Sequence, residues 1–546
     1  MSWFIRRRSP LERLALGGRN QAETEALSAA LPRGVTGRSE RDQRLPQAQW
    51  ADPEKLAQDA RFQFTPEAPF LGVTGAQIAS LDSTTVDPLY AAGGQAIGVR
   101  DDRHMVLCAG SRAGKGRSVL IPTLLTYRGS VLTLDPKGEL ANITAARRTT
   151  MGQDVCVLDP FGVTAARLRP LRTGFNPMAG LSINSESLVV DAGLIADALV
   201  TTGEGKDPHW DDSARNFIEG LVLHVATDPR YLQRRSLVSV RDLLDHALDP
   251  LDEQAGNDDA PLRVETELRE NAERLLASAR ALDREIGAAL EATASDFYEK
   301  WPGERAGVLS TARRQTRFLS YPELRSSLAS DGLDLRKLKT APAGMSVYLC
   351  LPAGRMGTCN KWFRLFINMM LEAMEREPIK PAVPVLTILE EFHVLGHLQQ
   401  IEVASGLIAG FGVKLLIVLQ DLTQLKRHYK ESWETFLGNA GVQVFFGNVD
   451  LTTLDYIRQR CGQTSLIVER GNEVSIDQRV QGGSRGASWS VEVRDLLTAD
   501  EAARLFARED PQQRALLLCA GRPPAVIQRV KYDRYERFEG LYEPEE

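Results

Sequence analysis

The chain has 546 residues, 43% hydrophobic and 25% charged. That length suits two to four folding units, and that balance excludes wholesale disorder or a fibrous repeat. The net charge of −6 excludes a uniformly basic nucleic-acid coat, so any grip on nucleic acid needs a local patch. Six cysteines (Cys108, Cys156, Cys350, Cys359, Cys461 and Cys519) form no CxxC pair. This argues against a zinc site or disulfide framework and fits a reducing cytoplasm. No run approaches about 18 apolar residues, so no membrane-spanning helix is readable.

In chain order, residues 1–95 read as an irregular or partly helical arm. Met1-Ser2-Trp3-Phe4-Ile5 precedes Arg6-Arg7-Arg8, the wrong order for a signal peptide. The three arginines are either solvated or touch lipid head groups or nucleic acid. From residue 96, short apolar runs alternate with helical stretches. Strands are expected at 104–109, 130–134, 154–158, 346–351, 383–389, 413–419, 442–446 and 514–519. Continuous apolar strands separated by helices imply a mostly parallel sheet covered on both faces. Between 181 and 340 the strand signal fades and helices are expected over 210–225, 262–286 and 305–319. The fold class is therefore α/β, one α/β domain over 96–180 and 341–546 interrupted by an all-α inserted domain, 181–340. Exposed loops are expected at 249–261 and 481–489.

The most informative segment is 104–125, HMVLCAGSRAGKGRSVLIPTLL. A strand enters a glycine-rich turn and leaves into an apolar helix, the context of a phosphate-binding P-loop. Its cradle is Gly110, Ser111, Arg112, Ala113, Gly114, Lys115, Gly116 and Arg117. Glycines let backbone N–H groups turn inward, the helix N-terminus adds its dipole, and Lys115 supplies a point charge for ATP phosphates. Ala109 stands where the first glycine usually sits. Gly116 replaces the Ser/Thr whose hydroxyl would bind Mg²⁺. Strand 383–389 ends in Glu390-Glu391. The first acid would hold Mg²⁺ through water, and the second would orient the attacking water. Gln420, ending strand 413–419, is placed to sense the γ-phosphate. Asp421 reads as a helix cap.

At these residues the chain resembles the type IV coupling proteins of conjugation and type IV secretion (the VirD-four/TraG/TraD class), RecA-like, FtsK/HerA-like P-loop ATPases. The resemblance covers residues 96–546 and rests on motifs in order: AGSRAGKGRSVLIPTLL, Asp135-Pro136-Lys137-Gly138-Glu139, Leu158-Asp159-Pro160-Phe161, Phe175-Asn176-Pro177, Asp207-Pro208-His209-Trp210, Glu390-Glu391-Phe392, Ala409-Gly410-Phe411-Gly412, Gln420-Asp421-Leu422 and Asn439-Ala440-Gly441. It implies Lys115 as phosphate lysine, Glu391 as catalytic carboxylate, Glu390 as metal-associated acid and Gln420 as sensor. It further implies ATP and Mg²⁺ as ligands, and a homo-hexameric ring around DNA bound without sequence specificity. Relaxase or other secretion substrates, and a secretion channel or membrane tether protein, are the implied partners. The family's usual N-terminal membrane-spanning helices are not readable here, so the expected location is cytoplasmic or peripheral at the inner membrane through partners. Arg458, Arg460 and Arg494 are candidate trans-acting arginines, with exposed ion pairs as the competing account.

Arg313, Arg314 and Arg317 make either a DNA-following basic face or a solvated helix face, with Leu309, Ala312 and Phe318 on the packed side. Lys137 is either structural or a sensor of a neighbouring nucleotide. Tyr298 and Trp301 read as core or subunit contacts. Two readings compete with the translocase. One is a nucleotide-dependent scaffold or adaptor that recruits protein substrates. The other is a soluble DNA-handling motor outside secretion.

Overall fold

The apolar runs become strands because each offers side chains that leave water on both faces of a sheet. The computed structural model describes residues 46–79, 90–201, 208–252, 261–471 and 487–544. Arg6–Arg8, Asp207, most of loop 249–261 and most of loop 481–489 lie outside the described residues. In chain order the strands are β1 (Phe70–Thr74), β2 (Gln77–Ala79), β3 (Tyr90–Ala92), β4 (Gln95–Gly98), β5 (His104–Ala109), β6 (Val131–Asp135), β7 (Asp154–Leu158) and β8 (Met345–Cys350). They continue as β9 (Val385–Leu389), β10 (Val413–Leu419), β11 (Ala440–Phe446), β12 (Gln463–Gly471), β13 (Ala487–Asp495), β14 (Arg514–Cys519) and β15 (Ala525–Gln528). All eight expected strands are present within a few residues of their expected bounds.

The chain divides into two compact units, one of residues up to Tyr127 with Leu416–Leu541, the other of Arg128–Leu415 with the last residues from Tyr542. In the first unit β5 is central. It runs parallel to β10, with Leu419 level with Cys108, and parallel to β11, with Phe446 level with Ala109. Beyond β11 the direction reverses: β14, β15, β1 and β4 follow in order, each antiparallel to its neighbour. The strand expected at 514–519 is therefore part of an antiparallel edge on a mostly parallel sheet. β12 and β13 form a separate antiparallel hairpin.

In the second unit the strands run β9, β6, β8, β7, all parallel. Among the described residues no strand lies between β7 and β8. Helices fill that interval, among them Leu188–Leu199, Pro208–Thr227, Leu237–Asp245, Arg263–Leu276, Ala281–Tyr298 and Pro302–Gln315. The stripe expected on the second of these is buried: Ala214, Phe217, Ile218, Leu221 and Val225 are all at most 2% exposed. Phe217 stacks on Phe297 with ring centroids 3.7 Å apart. The expected single helix 262–286 is two helices, parted where the Ser278 hydroxyl accepts from Arg280 N–H and donates to Asp283.

Leu309, Ala312 and Phe318 are buried as expected. Arg313 is not a free basic face. Its guanidinium donates to Leu244 O (3.0 Å) and Asp245 O (2.8 Å), closing the carbonyl end of helix Leu237–Asp245. Arg314 lies 3.5 Å from Asp211. Tyr298 is buried and donates to Ala247 O. Trp301, by contrast, is 82% exposed and does not belong to the core. Among the described residues no helix is long and apolar enough to cross a membrane.

Candidate nucleotide-binding site

β5 delivers the chain to Gly110, whose N–H donates to Phe446 O on β11 (3.0 Å). A tight turn follows, closed by Ala113 N–H on Gly110 O (3.1 Å). Arg112 (φ 56°) and Gly114 (φ 90°) both lie at positive φ, a conformation only glycine takes without strain. Ser118 N–H then bonds Gly114 O (2.9 Å) and starts a helical run. Its first turn, Gly116–Leu120, is of the wide π type before helix Ile121–Thr126. Lys115 and Gly116 thus sit at a helix start, where backbone N–H groups have no partner within the helix. A Cβ built on Gly110 would stand 1.9 Å from Gly447 O, so only glycine fits there. A Cβ on Gly114 or Gly116 would meet nothing within 4 Å.

The loop is therefore braced on the β11 side and open on the other. An open, amide-lined turn with a lysine fits a phosphate chain. Its fit to a metal is narrower. Gly116 has no side-chain oxygen for a cation, and the Ser118 hydroxyl spends its proton on Gly114 O (2.7 Å). Among the described residues no cluster of three His, Cys, Asp or Glu suits a metal ion either. Arg117 donates through Nε to Asp533 (3.3 Å) and pairs with it. Ser111 and Arg112 are exposed and Ala113 is buried.

Gln420 follows β10 at the same sheet edge, because Leu419 is level with Cys108 and the loop begins two residues on. Its carbonyl accepts from Asn448 Nδ2 (3.1 Å), and the same amide lies 3.5 Å from Cys108 Sγ. Asn448 therefore joins the ends of β5, β10 and β11, a role that no sequence pattern announces. Asp421 accepts from Gln424 N–H and caps helix Leu422–Tyr429, as expected. A second unannounced residue is Arg529, buried beneath the loop and donating to Ala113 O (3.0 Å).

Glu390 and Glu391 belong to the second unit, where they follow β9 half-buried. Glu391 takes left-handed backbone (φ 54°, ψ 44°). Such strain in a residue with a Cβ concentrates at functional positions. Its Oε2 lies 3.5 Å from His393 Nδ1. The turn that follows is held by Arg364, buried, which donates to Leu395 O (2.9 Å) and to His397 O.

The Asp-Pro motifs of this unit are turn anchors. Asp159 accepts from Val163 N–H (2.8 Å) and from Thr164 N–H (2.9 Å), and lies 3.2 Å from Arg172. Asp135 accepts from Ala141 N–H (2.8 Å), while its Oδ1 finds no hydrogen-bond partner among the described residues. Burial pushes its carboxyl up to about 7. Lys137 is exposed.

Residues 42–542 match the family description "Type IV secretory system Conjugative DNA transfer". Similar curated proteins include Protein VirD4 of Rhizobium radiobacter, 26% identical over 81% of this chain and 58% of that protein. Another is the conjugal transfer protein TraG of Agrobacterium fabrum, 25% identical over 79% of this chain and 60% of that protein. The chain thus spans about three fifths of the length of these relatives. Among solved structures, the conjugative coupling protein TrwBdeltaN70 with sulphate is similar at a TM-score of 0.59 and 14% identity, covering 88% of this chain and 93% of that one. TrwB with ADP and Mg²⁺ is similar at 0.53 and 16%, covering 79% and 85%. These likenesses bear out the α/β fold, and the family match bears out the resemblance read from the ordered motifs. The chain belongs to the type IV secretory system conjugative DNA transfer family, the coupling-protein class.

Proposed function

We propose that the chain is an ATP-driven DNA translocase and substrate receptor of coupling-protein type, serving conjugative DNA transfer or type IV secretion. The observation that carries this reading is the loop Gly110–Arg117, braced on one side and open on the other, with Gln420 at the end of the neighbouring parallel strand. Lys115 and the loop amides would hold the β- and γ-phosphates of ATP. Glu391 would orient the attacking water and accept its proton, and Gln420 would register the γ-phosphate. A magnesium ion, held by phosphate oxygens, water and Glu390, would neutralise charge on the phosphates during transfer. Similar solved structures support the ligands: TrwB is in complex with ADP and Mg²⁺ in one and with a non-hydrolysable ATP analogue in another.

DNA, a relaxase or other secretion substrate, and a channel or tether protein are the proposed partners. A homo-hexamer is the proposed assembly, and the helical interval 181–340 is the proposed inserted domain. The test is ATP turnover with and without DNA, for the parent and Lys115→Ala. DNA-stimulated turnover that falls about 100-fold or more on the substitution supports the motor. The second reading, a nucleotide-dependent scaffold, rests on Glu390 standing where an aspartate is usual. Nucleotide binding without turnover on any DNA would select it.

A further inference from the structure

We propose that Arg529 is the positioning residue that holds the phosphate loop in its receptive shape; this rests on reading residues 110–117 as the nucleotide site. Arg529 follows β15 and is 2% exposed. Its guanidinium donates to three backbone carbonyls: Ala113 O (3.0 Å), Ala507 O (3.0 Å) and, through Nε, Gln513 O (3.4 Å). It lies over the Phe446 ring, 4.7 Å from the centroid. Among the described residues no carboxylate forms an ion pair with it; Asp510 beside it is bonded to Arg514 instead.

A buried cation with only carbonyl partners is costly, and an apolar side chain would fill the same space more cheaply. Burial indeed draws its pKa down to about 10. What the guanidinium supplies is direction. A trans peptide is planar, so its C=O and the next N–H point opposite ways. With Ala113 O drawn toward Arg529, the N–H of Gly114 is turned away from it. Gly114, at φ 90°, is one of the two loop positions where an added Cβ would find only open space. Phe446 closes the arrangement. Its carbonyl takes Gly110 N–H at the loop's entrance, and its ring supports the guanidinium that takes Ala113 O three residues later. Both ends of the turn are thus fixed to one shelf, with a positive charge beneath the place where phosphate would lie.

The experiment measures binding of a fluorescent ATP analogue with Mg²⁺, and the thermal midpoint without nucleotide. The proteins are the parent chain, Lys115→Ala, Arg529→Lys and Arg529→Met. Lysine keeps the charge but cannot reach three carbonyls in one plane. Arg529→Lys is expected to weaken binding about tenfold and Arg529→Met about 10–100-fold, read well below every midpoint. Arg529→Lys decides the matter should Arg529→Met fail to fold. The inference is overturned by Arg529→Lys binding within twofold of the parent, whether or not its midpoint falls. A parent that binds nothing sinks the nucleotide site and the inference with it. A parent that binds, with Lys115→Ala weakened and Arg529→Lys not, sinks the inference alone.

Discussion

Gly110 is where a single methyl group separates folding from ligand binding. Real Cβ atoms essentially never approach another heavy atom within 3.0 Å, and one added at Gly110 would meet Gly447 O at 1.9 Å. In Gly110→Ala the ends of β5 and β11 must therefore part by about 1 Å, an overpacking that costs about 1–3 kcal/mol. The same movement stretches the Gly110 N–H to Phe446 O bond, for about 1 kcal/mol more. Calorimetry should then show the transition of the unit carrying β5 falling by about 5–15 °C. Gly116→Ala is the matched control. Its methyl meets nothing, so the midpoint should hold or rise slightly, while nucleotide affinity falls because the methyl stands on the open side of the loop. A Gly110→Ala protein that melts with the parent would refute the reasoning, as would a Gly116→Ala protein destabilised to the same degree.

Two further outcomes concern the second unit. Glu391→Gly removes a left-handed residue that has a Cβ, so it should gain about 1 kcal/mol over Glu391→Gln while both lose ATP turnover. A glycine variant less stable than the glutamine one would show that the backbone there is unstrained. Asp135 carries the pH dependence: its folded carboxyl keeps its proton up to about 7, whereas the unfolded one releases it near the ordinary 3.8. Stability from this group is full below 3.8, erodes as pH rises through that window, and stays low above it, an effect of about 4 kcal/mol. Asp135→Asn should flatten the decline in melting temperature between pH 5 and pH 8; an unchanged decline would exclude Asp135 as its source.

The parallel strands were legible because strands buried on both faces read as unbroken apolar runs, as in HMVLCA and VKLLIVL. Of the antiparallel strands beyond β11, β14 was legible and β15, β1 and β4 were not. β1 contains a glycine, β4 has only two fully buried residues, and β15 spans four residues, so none stands out from a loop. The break at Ala277–Arg280 hid because the helical period carries across it while a serine side chain takes over the backbone bonding. The glycine-rich turn between β5 and its helix was readable because its parts are contiguous and each residue type has one physical use. Arg529 and Asn448 were not, because they reach the loop from far along the chain and their residue types carry no signal alone. Arg313 shows the converse: a basic residue on a helix looks available until its guanidinium is found on two carbonyls.

The pairing of β1 with β15 places Val73 opposite Gln528. A ribosome delivers β1 long before β15, so the sheet around β5 cannot close until everything between them has emerged. The interval Arg128–Leu415 has by then been exposed long enough to collapse on its own, since its parallel strands find partners within the same stretch. Premature termination at any point before β15 would remove β15 and Arg529 together. The glycine-rich turn would then be present in sequence yet deprived of its footing.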